Sequence, residues 1–251
     1  MRITILHLYP DLLNLYGDRG NIECLIKRCL WRGIETEVMP ILLKNQSSNK
    51  KIDESTILFM GGGEDISQKE LYNDFIKNKG ESVKQYIESG GAGLFICGGL
   101  QLLGKYYHPY EGQEIPGLNI LDIYTKHFGR DKVRCVGNVS CKIIGIEYLQ
   151  NKTLVGFENH GGRTFLGNNA RPFGKIINGF GNNGEDKSEG VIYKNTIGTY
   201  LHGPILPKNP HLADWLIKTA LENKYKKEIA LQPLDDKLEW EAHNRALKFK
   251  T

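Results

Sequence analysis

The feature that most restricts the fold of this chain is the run 93–104, in which Leu94, Phe95 and Ile96 end at Cys97 and are followed by Gly98 and Gly99. The apolar residues read as a buried parallel strand, and Leu100, Leu102, Leu103 and Tyr106 begin a helical repeat. A strand, a tight turn and a helix with a thiol at the apex is the arrangement that serine occupies in the G-x-S-x-G elbow. Glycine after the thiol lets the chain turn with positive φ, which bulkier residues resist. The turn also aims the start of the next helix at the sulfur, where unpaired N–H groups and the helix dipole favour thiolate. A lone cysteine is more often a packing residue. The glycines that follow Cys97 favour a nucleophile instead.

The segments before the elbow alternate between strand and helix. Residues 3–8 set Ile3, Ile5, Leu6 and Leu8 around Thr4 and His7 as a first strand. Gly17, Asp18, Gly20 and Asn21 then read as turn and cap residues, with Asn21 expected to accept the first free N–H groups of a helix. That helix carries Ile22, Leu25, Ile26, Cys29 and Leu30 on one face. For Asp18 and Arg19 a functional role stays open beside the more economical reading, a loop that caps the helix. A second strand is expected over 34–43, a polar surface loop over 44–54 and a third strand over 56–60. Gly61, Gly62 and Gly63 follow it, so backbone N–H groups can closely approach a phosphate or an oxyanion. The Lys-Ser/Thr pair of a nucleotide P-loop is missing, which favours the oxyanion. Helices are expected over 66–77 and 81–89. The rhythm predicts an α/β fold, a doubly wound and mainly parallel sheet flanked by helices. Both glycine-rich loops sit at the C-terminal ends of strands, where such sheets place their sites.

From about residue 115 the pattern becomes β-rich, with strands expected over 118–124, 133–144 and 153–157. A polar cluster over 157–164 (Glu158, Asn159, His160, Arg163) interrupts them. Residues 190–204 read as a hairpin turning at Lys194 and Asn195 and delivering His202 just before Gly203 and Pro204. An amphipathic helix over 210–223 and a tail with helical character over 235–249 complete the chain. With no repeat, low-complexity stretch or linker, residues 1–251 are expected to form one domain, with 222–251 as a C-terminal tail.

Composition excludes several classes. A hydrophobic content of 40% with 25% charged residues is ordinary for a globular protein. The net charge of +4 comes from scattered lysines, a solvated face rather than a nucleic-acid groove. No run approaches membrane-spanning length, and the apolar start is interrupted too soon by Pro10 to read as a signal peptide. Five cysteines, an odd number without metal-ligand spacing, point to reduced thiols, a cytoplasmic protein and no metal site.

Among the seven histidines, His202 stands out because it ends an alternating run and is held by a rigid turn. A Cys97–His202 pair would attack a carbonyl through the thiolate and protonate the leaving amine through the imidazole. The backbone N–H groups of Gly62, Gly63 and Gly98 are the candidate oxyanion donors. His7, His108, His127, His160, His211 and His243 are the other possible partners of the thiol.

Five stretches carry a family resemblance: residues 8–21, the Gly61-Gly62-Gly63 loop, the Cys97 elbow, residues 156–164 and residues 198–210. Together they resemble the class I (triad-type) glutamine amidotransferases of the cobyric-acid-synthase-like branch. Within that branch they are most similar to the glutaminase subunits of lipid II isoglutaminyl synthases. The resemblance runs from the start of the chain to about residue 221. It implies that Cys97 hydrolyses L-glutamine through a thioester with His202 as acid and base. The ammonia would pass to a MurT-like subunit of the Mur-ligase family, forming a heterodimer. That partner would use ATP and Mg to amidate the D-glutamate α-carboxyl of lipid II. No cofactor is implied for this chain, and 251 residues leave no room for a synthetase domain.

The family's glutamine-holding arginine best matches Arg134, ahead of Cys135-Val136-Gly137-Asn138, with Arg130 as competitor. A guanidinium suits an α-carboxylate because it offers paired donors in a planar fork. The chain departs from the wider pattern after His202: Gly203 and Pro204 stand where a glutamate two residues on would orient the ring. A Cys–His dyad, an acidic residue of the partner, Glu158 or Glu189 are the expected substitutes. A stand-alone thiol hydrolase or peptidase, and a non-catalytic binding subunit, are the alternative functions.

Overall fold

The computed structural model describes residues 1–43, 52, 56–63 and 71–249. Of the loop expected over 44–54 only Ile52 is among them, and it is buried. Much of the helix expected over 66–77 lies outside the described residues.

Six strands, numbered in chain order, form the main sheet: β1 (Arg2–Leu8), β2 (Glu35–Ile41), β3 (Ile57–Met60), β4 (Ala92–Ile96), β13 (Val191–Tyr193) and β14 (Thr196–Thr199). Their spatial order is β13-β14-β4-β3-β1-β2, parallel throughout except for the β13–β14 hairpin. All of β3 and β4 is buried, and so is β1 from Ile3 to Leu8, including Thr4 and His7. Burial on both faces is what helices on either side of a parallel sheet produce. Edge strand β2 is half-exposed and accommodates Pro40, whose missing N–H an edge tolerates.

The flanking helices are α1 (Arg19–Leu30), α2 (Gly80–Glu88, with a π-helical lead-in over Asp74–Lys79), α3 (Gly98–Leu103), α4 (Pro210–Tyr225) and α5 (Lys237–Ala246). Helix α4 packs on β4, β1 and α1. The buried Arg28 of α1 donates to Asp214 of α4 at 2.7 Å and to Asp236 of the tail at 2.6 Å. This pairing fastens the tail to the body, because removing either partner would strand a buried charge.

The β-rich half forms two further sheets. One, in the order β10-β7-β5-β6, contains β5 (Tyr106–His108), β6 (Ile115–Pro116), β7 (Ile123–His127) and β10 (Gly162–Leu166). The other, β12-β11-β8-β9, contains β8 (Cys135–Ile143), β9 (Thr153–His160), β11 (Gly174–Asn178) and β12 (Ser188–Glu189). The polar cluster 157–164 therefore does not interrupt the strands: it is the end of β9 and the start of β10. Its inward-facing polar groups find partners inside, as the Glu158 carboxylate shows by accepting from the N–H groups of Phe180 (2.7 Å) and Gly181 (2.8 Å).

Strand β1 lies between β2 and β3, so chain order reverses beside it. The loops leaving the C-terminal ends of β1 and β3 border this switch point, the crevice where open α/β sheets bind ligands.

Candidate active site

Cys97 follows β4 directly, with φ +49° and ψ −102°. Its N–H donates to the carbonyl of Thr199 at the end of the neighbouring β14 (2.8 Å), and its own carbonyl accepts from Gln101 as α3 begins (3.0 Å). A non-glycine residue held there stores about 1–3 kcal/mol of strain, maintained by the strand on one side and the helix on the other. Gly99 lets this helix lie close to β3, since a Cβ there would come within 3.1 Å of the Met60 carbonyl.

His202 emerges from β14 through Tyr200 and Leu201 and is fully buried. Its backbone exchanges two hydrogen bonds with Phe157 of β9, at 2.7 and 3.1 Å. The imidazole Nδ1 lies 3.2 Å from Oδ1 of Asp18, itself fully buried. The carboxylate accepts the Nδ1 proton, which leaves Nε2 as the reactive nitrogen; Nε2 has no hydrogen-bond partner among the described residues. Cys97 and His202 flank Gly62: a Cβ on that glycine would meet His202 Cε1 at 2.6 Å and Cys97 Cβ at 3.2 Å. Burial disfavours the charged ring, but the Asp18 carboxylate and the Cys97 sulfur outweigh it and raise the pKa of His202 to about 10.

Asp18 stands where an aspartate ordinarily caps its own helix, yet it makes no cap bond to α1. Its Oδ2 accepts the N–H of Gly62 at 2.7 Å while Oδ1 faces His202. Asn14 Oδ1 accepts the Arg19 N–H at 2.8 Å in its place. Asn21 is not the cap expected of it: its Nδ2 donates to the Asp18 carbonyl (3.0 Å) and its Oδ1 accepts from Leu206 N–H (2.9 Å). The loop read as a simple helix cap thus supplies the carboxylate that the sequence left unassigned.

Neither glutamate expected to orient His202 does so. Glu158 is occupied by the two amides described above. Glu189 accepts from the Thr199 hydroxyl and from Tyr200 N–H (3.0 Å), and burial raises its pKa to about 7. The expectation for Gly62 as an oxyanion donor is also corrected, because its N–H is committed to Asp18. Gly63 is engaged within the chain, and Gly98 is the first residue of α3, directly after the thiol.

Arg134 is exposed just before β8 and connects to the site through two residues. Its Nε donates to Asn159 Oδ1 and its Nη2 to the Asn159 carbonyl at 3.3 Å. Asn159 Nδ2 in turn donates to the Tyr16 hydroxyl at 2.6 Å, and the Tyr16 ring stands edge-on to His202 with centroids 5.0 Å apart. Arg130 lies in the turn Gly129–Asp131, outside this chain of contacts. Tyr16 is the site residue that sequence reasoning missed, and Asp18 the one for which it preferred the helix cap to the site. The available signal was their place within the 8–21 resemblance. His160 is not a partner of the thiol: its Nδ1 bonds the Gly162 carbonyl (2.7 Å), its ring stacks on Tyr200 at 3.8 Å, and burial lowers its pKa.

Comparison with known proteins agrees with this geometry. Residues 4–210 match the CobB/CobQ-like glutamine amidotransferase domain. The chain is 45% identical over 222 residues to the Staphylococcus aureus protein named lipid II isoglutaminyl synthase (glutamine-hydrolyzing) subunit GatD, covering 88% of this chain and 86% of that protein. The Streptococcus pneumoniae protein of the same name is 40% identical over 240 residues, covering 96% of this chain and 88% of that one. A probable cobyric acid synthase of Methanocaldococcus jannaschii is 36% identical over 184 residues, covering 69% of this chain but 35% of the synthase.

Proposed function

Because the chain belongs to the CobB/CobQ-like glutamine amidotransferase family, and within it to the GatD type, we propose that it is the glutaminase subunit of a lipid II isoglutaminyl synthase. The single observation that carries the mechanism is the meeting of Cys97, His202 and Asp18 around Gly62. In this reading the Cys97 thiolate attacks the side-chain carboxamide carbon of L-glutamine. The amide N–H of Gly98, which has no acceptor within its own helix, faces the oxyanion. The imidazolium of His202 protonates the departing nitrogen and ammonia leaves a thioester. His202 then takes a proton from water, hydroxide adds to the thioester, and glutamate and the thiol are released. Asp18 holds the tautomer in which Nε2 serves both steps. Arg134 binds the α-carboxylate, which suits a free amino acid and sets this reading above a peptidase.

The ammonia goes to a separate synthetase subunit, a MurT-like member of the Mur-ligase family that binds ATP and Mg and amidates the D-glutamate α-carboxyl of lipid II. The test is glutamate release from L-glutamine by the wild type and by Cys97→Ala, each with and without such a partner. Turnover that Cys97→Ala abolishes and the partner increases supports the reading. A complex with no Cys97-dependent turnover rules it out.

A further inference from the structure

Side chains alternate along β9, so Phe157 and Asn159 share one face while Glu158 and His160 point to the buried side. The outer pair serves the active site at two points. The Phe157 backbone fixes His202, and Asn159 fixes Arg134. Both ends of the Asn159 carboxamide are used: the oxygen accepts from Arg134 Nε and the nitrogen donates to the Tyr16 hydroxyl. Arg134 therefore has its Nε–Nη2 edge occupied, while Nη1 has no partner among the described residues. An exposed arginine ordinarily samples many rotamers, and each must be given up when it binds a carboxylate.

We propose that Asn159 is a positioning residue for glutamine binding. It holds the Arg134 guanidinium by one edge so that the other edge meets the α-carboxylate of the substrate. Through Tyr16 it ties that grip to the wall of the His202 imidazole. The proposal rests on the glutaminase reading, with Arg134 as the carboxylate ligand. Because the α-carboxylate is remote from the bonds that change, its grip contributes alike before and during the reaction. Loss of Asn159 therefore raises KM far more than it lowers kcat.

The test labels Cys97 in the full-length chain with two reagents and follows the products by intact mass. The chloromethyl ketone analogue of L-glutamine carries the α-carboxylate, and iodoacetamide does not. Arg134→Ala and Asn159→Ala are each expected to slow labelling by the analogue about tenfold, the loss of one hydrogen bond to a charged group, while iodoacetamide labelling stays within about threefold. The double variant is expected to be no slower than Arg134→Ala, since Asn159 acts through that arginine. Should Arg134→Ala react with the analogue as the wild type does, the carboxylate-ligand reading itself fails. A slowed Arg134→Ala beside an unchanged Asn159→Ala, or losses that multiply in the double variant, overturns the positioning role alone. If circular dichroism shows Asn159→Ala unfolded, Tyr16→Phe tests the other end of the contact. It is expected to slow the analogue roughly threefold, as loss of one neutral hydrogen bond does, and an unchanged rate overturns the proposal.

Discussion

Oδ1 of Asp18 lies 3.2 Å from Nδ1 of His202, although the two residues are 184 positions apart in the chain. Asp18 comes from the loop after β1 and His202 from the end of β14, with β4 and β3 lying between those strands. The gap is crossed above the end of β3, where Gly62 has no side chain and donates its N–H to the same carboxylate. Four strand ends therefore share one site: β1 gives the carboxylate, β3 the glycine between the partners, β4 the thiol and β14 the imidazole. This arrangement supplies the orienting carboxylate that Gly203 and Pro204 cannot.

Replacing Asp18 with Asn tests that assignment with little change of shape. The asparagine oxygen can still accept from Gly62, which turns its NH2 towards Nδ1. That favours the tautomer with the proton on Nε2, which then cannot take a proton from the thiol. Glutaminase turnover is expected to fall on the order of 10²-fold or more, as it does when triad carboxylates are neutralised elsewhere. Steady-state glutamate release checks this, and a turnover near that of the wild type would show that Cys97 and His202 work as a dyad.

The pH profile follows from the state of His202. Burial opposes the charge on its ring, but Asp18 and Cys97 raise the pKa from 6.5 to about 10, so the imidazolium persists through neutral pH. The folded state binds this proton more tightly than the unfolded chain. The resulting stabilisation is complete below pH 6.5 and is lost as the pH climbs through about 10. The expected kcat/KM profile stays level across neutrality and descends on the alkaline side. In Asp18→Asn the descending limb moves to lower pH. A limb in the same place for both proteins would remove Asp18 as the source of the shift.

Gly62→Ala should separate folding from catalysis. The added methyl would lie 2.6 Å from His202 Cε1 and 3.2 Å from Cys97 Cβ, so the imidazole must move to admit it. Overpacking of this kind costs about 1–3 kcal/mol of stability. A displacement of about 1 Å between catalytic groups costs on the order of 10²-fold in rate. Thermal melting and glutamine turnover, measured on the same preparation, are expected to show a folded protein with little activity.

What could be read from the sequence was what is encoded locally. The Cys97 elbow is continuous in the chain, and an apolar run, a thiol and two glycines suffice to specify it. His202 was legible because a hairpin and a Gly203-Pro204 turn place it at a strand end. The parallel sheet followed from strands such as β3 and β4, which have no polar face to show to water. Asp18 was not legible, because an aspartate before a helix has the same local signature whether it caps that helix or reaches across the sheet. Residues 157–164 misled for a similar reason. Glu158 and His160 look too polar for a strand interior until the amides of Phe180 and Gly181 are seen on the Glu158 carboxylate and the Gly162 carbonyl on Nδ1 of His160.

Glu189 predicts a pH dependence of stability separate from that of His202. It is fully buried; Oε1 accepts from Thr199 and Tyr200, and Oε2 has no hydrogen-bond partner among the described residues. Burial raises its pKa from 4.5 to about 7, so the folded protein holds this proton where the unfolded chain has released it. Stability accordingly falls as the pH rises from 4.5 towards 7, by about 3 kcal/mol if the whole shift is expressed. Glu189→Gln keeps the Oε1 acceptor and has no proton to lose. Its unpaired amide nitrogen carries a constant cost at every pH, so the slope, rather than the absolute stability, identifies the titrating group. Urea unfolding at pH 5 and pH 8 is expected to show a larger loss of stability in the wild type than in Glu189→Gln. Parallel losses in the two proteins would place the titration at another residue.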